Sequence, residues 1–102
     1  MTRRHPTQRR PRRVRLSRRK GWKMPANTIV VSRPSRWGNP YRATTPDERR
    51  LAVQKFERFL QSARGRTLRE EAISCLRGHN LACWCPLDGP CHADVLLELV
   101  NR

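Results

Sequence analysis

Apolar positions are spread unevenly along this chain. Before Trp22 the only bulky apolar residues beyond Met1 are Val14 and Leu16. The run Thr28-Ile29-Val30-Val31 is then continuous and β-branched, the pattern of a short strand buried on both faces. Thr45-Pro46-Asp47-Glu48 joins a capping hydroxyl, a proline suited to the first helical position and an acid three places after the cap. Apolar residues recur behind it at Ala52, Val53, Phe56, Phe59, Leu60 and Ala63, so a helix is predicted up to Gly65. Thr67-Leu68-Arg69-Glu70 repeats the capping pattern and opens a second helix that Gly78 stops. Leu68, Ala72, Ile73 and Leu76 form its inward side, and Cys75 is counted with them as a small buried hydrophobe. Leu81–Cys85 reads as a second strand and Pro86–Pro90 as a turn. A last helix runs from about Cys91 to Asn101, polar only along Cys91, Asp94, Glu98 and Asn101, and is the expected centre of packing.

The order strand, helix, helix, strand, helix predicts a small single-domain α/β fold. A helical crossover between two strands implies that they lie parallel in a short sheet. In such units ligands bind beyond the carboxyl ends of the strands. The loop Arg33–Pro40 follows the first strand and Cys85–His92 follows the second, so parallel pairing brings both to one edge.

Charge divides the chain. It has 102 residues and a formal net charge of +15, with no acidic residue before Asp47. Residues 1–46 hold 14 basic residues, and residues 47–102 hold 9 basic and 8 acidic, which makes the halves +14 and +1. A segment so poor in apolar surface cannot offset the entropy of ordering itself. Residues 1–20 are therefore expected to form a disordered basic arm, and residues 21–102 a compact α/β domain. Arg9, Arg10, Arg12, Arg13, Arg15, Arg18, Arg19 and Lys20 of the arm suit contact with nucleic-acid phosphates. No apolar run reaches the roughly 18 residues of a membrane span, and no acylation motif or apolar anchor accompanies the charge, so a membrane partner is not expected. The start has charge but no apolar region behind it, unlike a secretory signal. The expected location is the cytosol, where the four cysteines stay reduced.

Two constellations carry chemistry. Cys83-Trp84-Cys85 followed by Cys91-His92 offers three thiols and an imidazole within ten residues. One reading is a zinc site held by Cys83, Cys85, Cys91 and His92, a staple for a structural or interaction module. A second is a pocket at a helix N-terminus, where exposed N–H groups attract an anion or lower a thiol pKa. In its enzymatic form Cys91 is the nucleophile, assisted by His92 or Asp94, on a nucleotide-like substrate. A third leaves the cysteines as core. The other constellation is the loop Arg33-Pro34-Ser35-Arg36-Trp37-Gly38-Asn39-Pro40. Arg33 and Arg36 offer forked donors for phosphate, Trp37 a stacking face, Gly38 close approach and Asn39 a polar edge. Taken alone the loop also fits a structural role, with Trp37 plugging the core and the arginines solvated.

Three stretches in order bear a family resemblance: Lys20–Pro25, Arg33–Pro40, and Leu76–Gly78 with Leu81–Asp88 and Pro90–Leu96. Over about Lys20 to Asn101 the chain resembles the family called domain of unknown function 4326. The resemblance implies a small cytoplasmic domain of bacteriophage or bacterial origin and supplies no activity. A weaker similarity links the Cys91-His92 helix start to domain of unknown function 488, whose Cys-His-Arg pattern has its arginine replaced here by Ala93. Together these observations point to a phosphate-bearing nucleotide or nucleic acid bound between the two loops. Arg33 and Arg36 would take the phosphate, Trp37 would stack, and the cysteines and His92 would form the wall.

Overall fold

The computed structural model describes residues 10–102 of the chain. Its elements are β1 (Arg13–Arg15), β2 (Thr28–Val30), α1 (Pro46–Gln61), α2 (Arg66–Leu76), β3 (Asn80–Cys83) and α3 (His92–Val100). The fold is α/β, and the three strands form one parallel sheet in the order β1-β3-β2. The two strands expected from the pattern are present and parallel. The third, β1, lies inside the segment expected to be a disordered arm.

β3 explains why that basic segment is ordered. Leu81, Ala82 and Cys83 are all buried, so the backbone groups on both edges of β3 need partners. β2 supplies one edge: Asn80 N–H donates to the Asn27 carbonyl at 2.9 Å, and Val31 N–H to the Ala82 carbonyl at 2.8 Å. β1 supplies the other: Leu81 N–H donates to the Arg12 carbonyl at 3.1 Å, and Leu16 N–H to the Cys83 carbonyl at 2.8 Å. The Asn80 side chain accepts from Arg12 N–H at 3.0 Å and secures the start of the register. Val14 is buried on the face shared with Ala82, as their paired register requires. The strand buried on both faces is thus the central β3. β2, expected to be that strand, is an edge on which Val30 is exposed.

The core lies on the other face of the sheet. Val31, Phe56, Leu60, Leu76, Leu81, Leu96 and Val100 are fully buried there, joined by Trp37. α1 starts as its sequence predicts: Thr45 accepts from Glu48 N–H at 3.1 Å, and the Glu48 carboxylate accepts from Thr44 N–H at 2.8 Å. The bonds from the Thr44 N–H and hydroxyl hold the Glu48 carboxyl below its usual pKa. α2 differs from expectation. It opens at Arg66 after Gly65, without a side-chain cap, and Thr67 falls within its first turn. The Ser62 hydroxyl donates to the Phe59 carbonyl at 2.6 Å and accepts from Gly65 N–H at 3.3 Å, closing the connection early. Cys75 is exposed, because Leu68, Ala72 and Leu76 at spacings of four carry the inward face of α2. Among the described residues, no helix is long and apolar enough to cross a membrane.

Arg13 ties β1 to the far end of the chain. Its guanidinium donates to the Asp94 carboxylate at 2.8 Å, to the Pro86 carbonyl at 2.8 Å and to the Gly89 carbonyl at 2.9 Å. Only 7% of the side chain is exposed. A planar fork reaches three acceptors where an ammonium could not hold the same geometry. Arg13→Ala strands two carbonyls and a carboxylate, at a cost of roughly 1–3 kcal/mol. Thermal denaturation should show a fall in Tm of the order of 10 °C, with Arg13→Lys recovering only part of it. An unchanged Tm in Arg13→Ala would show that the fork is dispensable.

Candidate functional site

Parallel pairing brings both post-strand loops to the carboxyl edge of the sheet. They enclose a pocket of about 270 Å³ whose walls include Arg33, Asn39, Cys83, Cys85, Cys91 and His92. Helix α1 closes the remaining side with Arg49, Ala52 and Val53, and Tyr41 stands at the rim. Arg49 and Tyr41 were not anticipated. The signal for Arg49 was available: it precedes Ala52 and Val53 by three and four residues, so it extends their stripe toward the sheet.

The Arg33–Pro40 loop is built for packing as well as access. The Arg33–Pro34 peptide is cis. A Cβ on Gly38 would stand 2.6 Å from Arg33 Cγ and 2.9 Å from its backbone nitrogen, so only glycine fits there. Asn39 is used within the loop. Its amide donates to the Ala52 carbonyl at 3.1 Å and its Oδ1 accepts from Tyr41 N–H at 2.9 Å. Trp37, expected to stack on a ligand, is 6% exposed and belongs to the core. Arg36, expected to hold phosphate, covers Trp37 with its guanidinium 4.8 Å from the ring centroid and pairs with Glu71. The indole is large and apolar enough that burial in the core outweighs display. Trp37 and Arg36 therefore leave the pocket, and Arg33 remains in it.

The cysteine loop converges on a cluster of sulfurs. Cys83, Cys85 and Cys91 bring their sulfurs within 4.8 Å of one another, and Cys83 and Cys91 lie 2.8 Å apart. Three cysteines so placed could hold a metal ion. Cys91 caps α3, its sulfur accepting from Ala93 N–H at 3.5 Å. His92 stands apart from the trio. Its Nε2–H donates to the Val31 carbonyl at 2.8 Å, and its Nδ1 is 3.7 Å from the Cys91 sulfur. Phe56 meets the ring edge-on at 5.4 Å. Burial lowers the His92 pKa, which keeps the imidazole neutral. Asp94, expected to assist Cys91, spends its carboxylate on Arg13.

Proton sharing within the cluster favours one thiolate. Cys85 is held well below the usual thiol range by hydrogen bonds from Cys83 and Cys91, with the Arg13 guanidinium adding positive potential. Cys91 is pushed up by its hydrogen bonds to Cys83 and Cys85 and by burial, and Cys83 is raised chiefly by its bond to Cys85. Helix-terminus activation was expected to make Cys91 the nucleophile. Instead Cys91 is only 1% exposed and its pKa is raised, whereas the pKa of the half-buried Cys85 is lowered, so the tendency to ionise moves to Cys85.

Of the residues expected in the arm, Arg9 lies outside the described residues. Arg13 is committed to the fork, while Arg10, Arg12, Arg15, Arg18, Arg19 and Lys20 are exposed.

The family model for a domain of unknown function, DUF4326, matches residues 14–102. The chain belongs to that family. The DUF4326 match begins within β1, so it includes a strand that composition alone assigned to the arm. No curated protein and no solved structure matches the chain.

The sulfur cluster of this DUF4326 domain sets an order of reactivity. In the reduced, metal-free protein, iodoacetamide should modify Cys85 ahead of the exposed Cys75 at pH 6, because a depressed pKa preserves thiolate as pH falls. Peptide mass spectrometry reads the order. Modification of Cys75 first would show that Cys85 is not ionised.

Proposed function

We propose that the domain binds a phosphate-bearing nucleotide, or the end of a nucleic acid, in the pocket between the two loops. One observation carries this reading. Arg33 and Arg49 both line the pocket, and among the described residues neither is in an ion pair with a carboxylate. The three ion pairs formed there engage Arg13, Arg36 and Arg50 instead. Two free guanidiniums facing one cavity suit an oxyanion, which they grip through paired, charge-assisted N–H donors. Tyr41 at the rim offers the aromatic face first sought in Trp37. The N-terminus of α3 adds favourable potential for negative charge.

Isothermal titration with nucleoside mono-, di- and triphosphates tests the assignment. Arg33→Ala and Arg49→Ala should each weaken binding about tenfold or more, as expected for loss of a charge-assisted hydrogen bond. Affinity unchanged in the double variant would reject the pocket as a phosphate site.

A second reading, zinc on Cys83, Cys85 and Cys91, is favoured by the approach of their sulfurs within 4.8 Å. Zn–S bonds of about 2.3 Å in a tetrahedral site set sulfurs about 3.8 Å apart. Binding would part Cys83 and Cys91 by roughly an ångström and leave the fourth position of the tetrahedron open, since the close group holds the three sulfurs and not His92. Native mass spectrometry of the reduced chain should then show one zinc, lost in Cys85→Ser. A metal-free chain that still binds nucleotide rejects zinc and leaves the thiols as pocket wall.

A further inference from the structure

We propose that the basic groove beside the pocket is a track for single-stranded nucleic acid, whose end enters the pocket. This rests on the nucleotide reading of that pocket and narrows it from a free nucleotide to a strand terminus. The groove encloses about 630 Å³, and Arg15, Arg18, Arg19, Trp22 and Trp84 are among its walls. Trp84 also borders the cysteine-lined pocket, so the two cavities flank one residue. Arg15 pairs in register with Cys83, which places the start of the groove at the same carboxyl edge of the sheet as the pocket.

Charge and aromatic surface coincide in the groove. Arg15, Arg18 and Arg19 are exposed, and among the described residues none of them pairs with a carboxylate. No acid precedes Asp47 to neutralise them from their own segment. Trp84 is 42% exposed, and the Arg18 guanidinium lies 4.4 Å from its ring centroid. Trp22 is brought to the wall by a turn in which its N–H donates to the Arg19 carbonyl at 3.0 Å. That turn passes through Gly21 at φ 86°, a conformation natural to glycine. Guanidiniums that follow a phosphate backbone beside faces on which bases stack are the means of binding single strands. A duplex hides its base faces and cannot use the tryptophans.

Fluorescence anisotropy on the full chain tests this with labelled single-stranded DNA and RNA of about ten nucleotides. The competitors are the matching duplex, a mononucleotide and polyglutamate. Single strands should bind more tightly than the mononucleotide. Trp22→Ala and Arg18→Gln, neither of which lines the pocket, should weaken strand binding about tenfold while leaving mononucleotide affinity unchanged. Replacing Arg15, Arg18 and Arg19 together by Gln should reduce the slope of log K against log salt by about 2. Circular dichroism melts confirm that each variant is folded, and exposed Arg18 provides the test if Trp22→Ala is not. Strand binding unchanged in folded Arg18→Gln and in the triple variant overturns the track. Duplex or polyglutamate bound as tightly as the single strand also overturns it, in favour of a general anion surface. Single strands bound without mononucleotide affinity reject the pocket and the entry of the end, whereas mononucleotide affinity without tighter strand binding rejects the track and keeps the pocket.

Discussion

A buried strand must have its hydrogen-bonding groups met along both edges, and in this domain that constraint falls on β3. Leu81, Ala82 and Cys83 are sealed from solvent, so no water can partner their backbone. β2 covers one edge. The other is covered by Arg12–Leu16, from the most charged part of the chain. Only Val14 of β1 is deeply buried, and the arginines on either side serve different ends. Arg13 satisfies acceptors on the far side of the sheet edge, while Arg15 remains in solvent.

The same pairing organises the chemistry. With β1 held against β3, the Arg13 fork grips the Pro86 and Gly89 carbonyls and the first turn of α3 through Asp94. The chain between Cys85 and Cys91 is thereby folded back, and Cys91 meets Cys83, the last residue of β3, and Cys85 just beyond it. Arg13 also contributes to the low pKa of Cys85. A structural contact and an electrostatic one thus come from a single side chain. Parallel β2 brings Arg33 to the same edge, and Trp37 fastens the intervening loop into the core. The pocket is the space left when both loops are anchored, one by an indole and the other by a guanidinium.

Burial determines which members of this site can act. His92 has the chemistry of a general base, but its ring is packed against Phe56 and bonded to Val31, and it serves as an inward, neutral donor. Asn39 likewise spends its donor and acceptor on the loop and α1. Arg33, Arg49, Tyr41 and Cys85 retain access, so recognition in our proposal rests on cationic and aromatic groups around a thiolate. The basic groove past Trp84 continues the same charge outside the pocket.

The sequence by itself determined the three helices, two of the strands and their parallel direction. Helical spacing, caps and β-branched runs are local signals, and the crossover leaves little freedom for the strands it joins. It also placed the two loops at one edge, since that follows from strand direction alone. Local pattern could not show that Val14, isolated among arginines, would complete a sheet, because the demand for β1 arises 68 residues away in the unpaired edge of β3. Nor could it separate Trp37 from Trp84. Trp37 stands in a polar, turn-rich loop and Trp84 in a run read as a strand, yet the first fills the core and the second stays exposed. The balance among Cys83, Cys85 and Cys91 was equally beyond it: helix-terminus position favours ionisation of Cys91, but sulfur contacts and burial made in three dimensions raise the Cys91 pKa and lower that of Cys85.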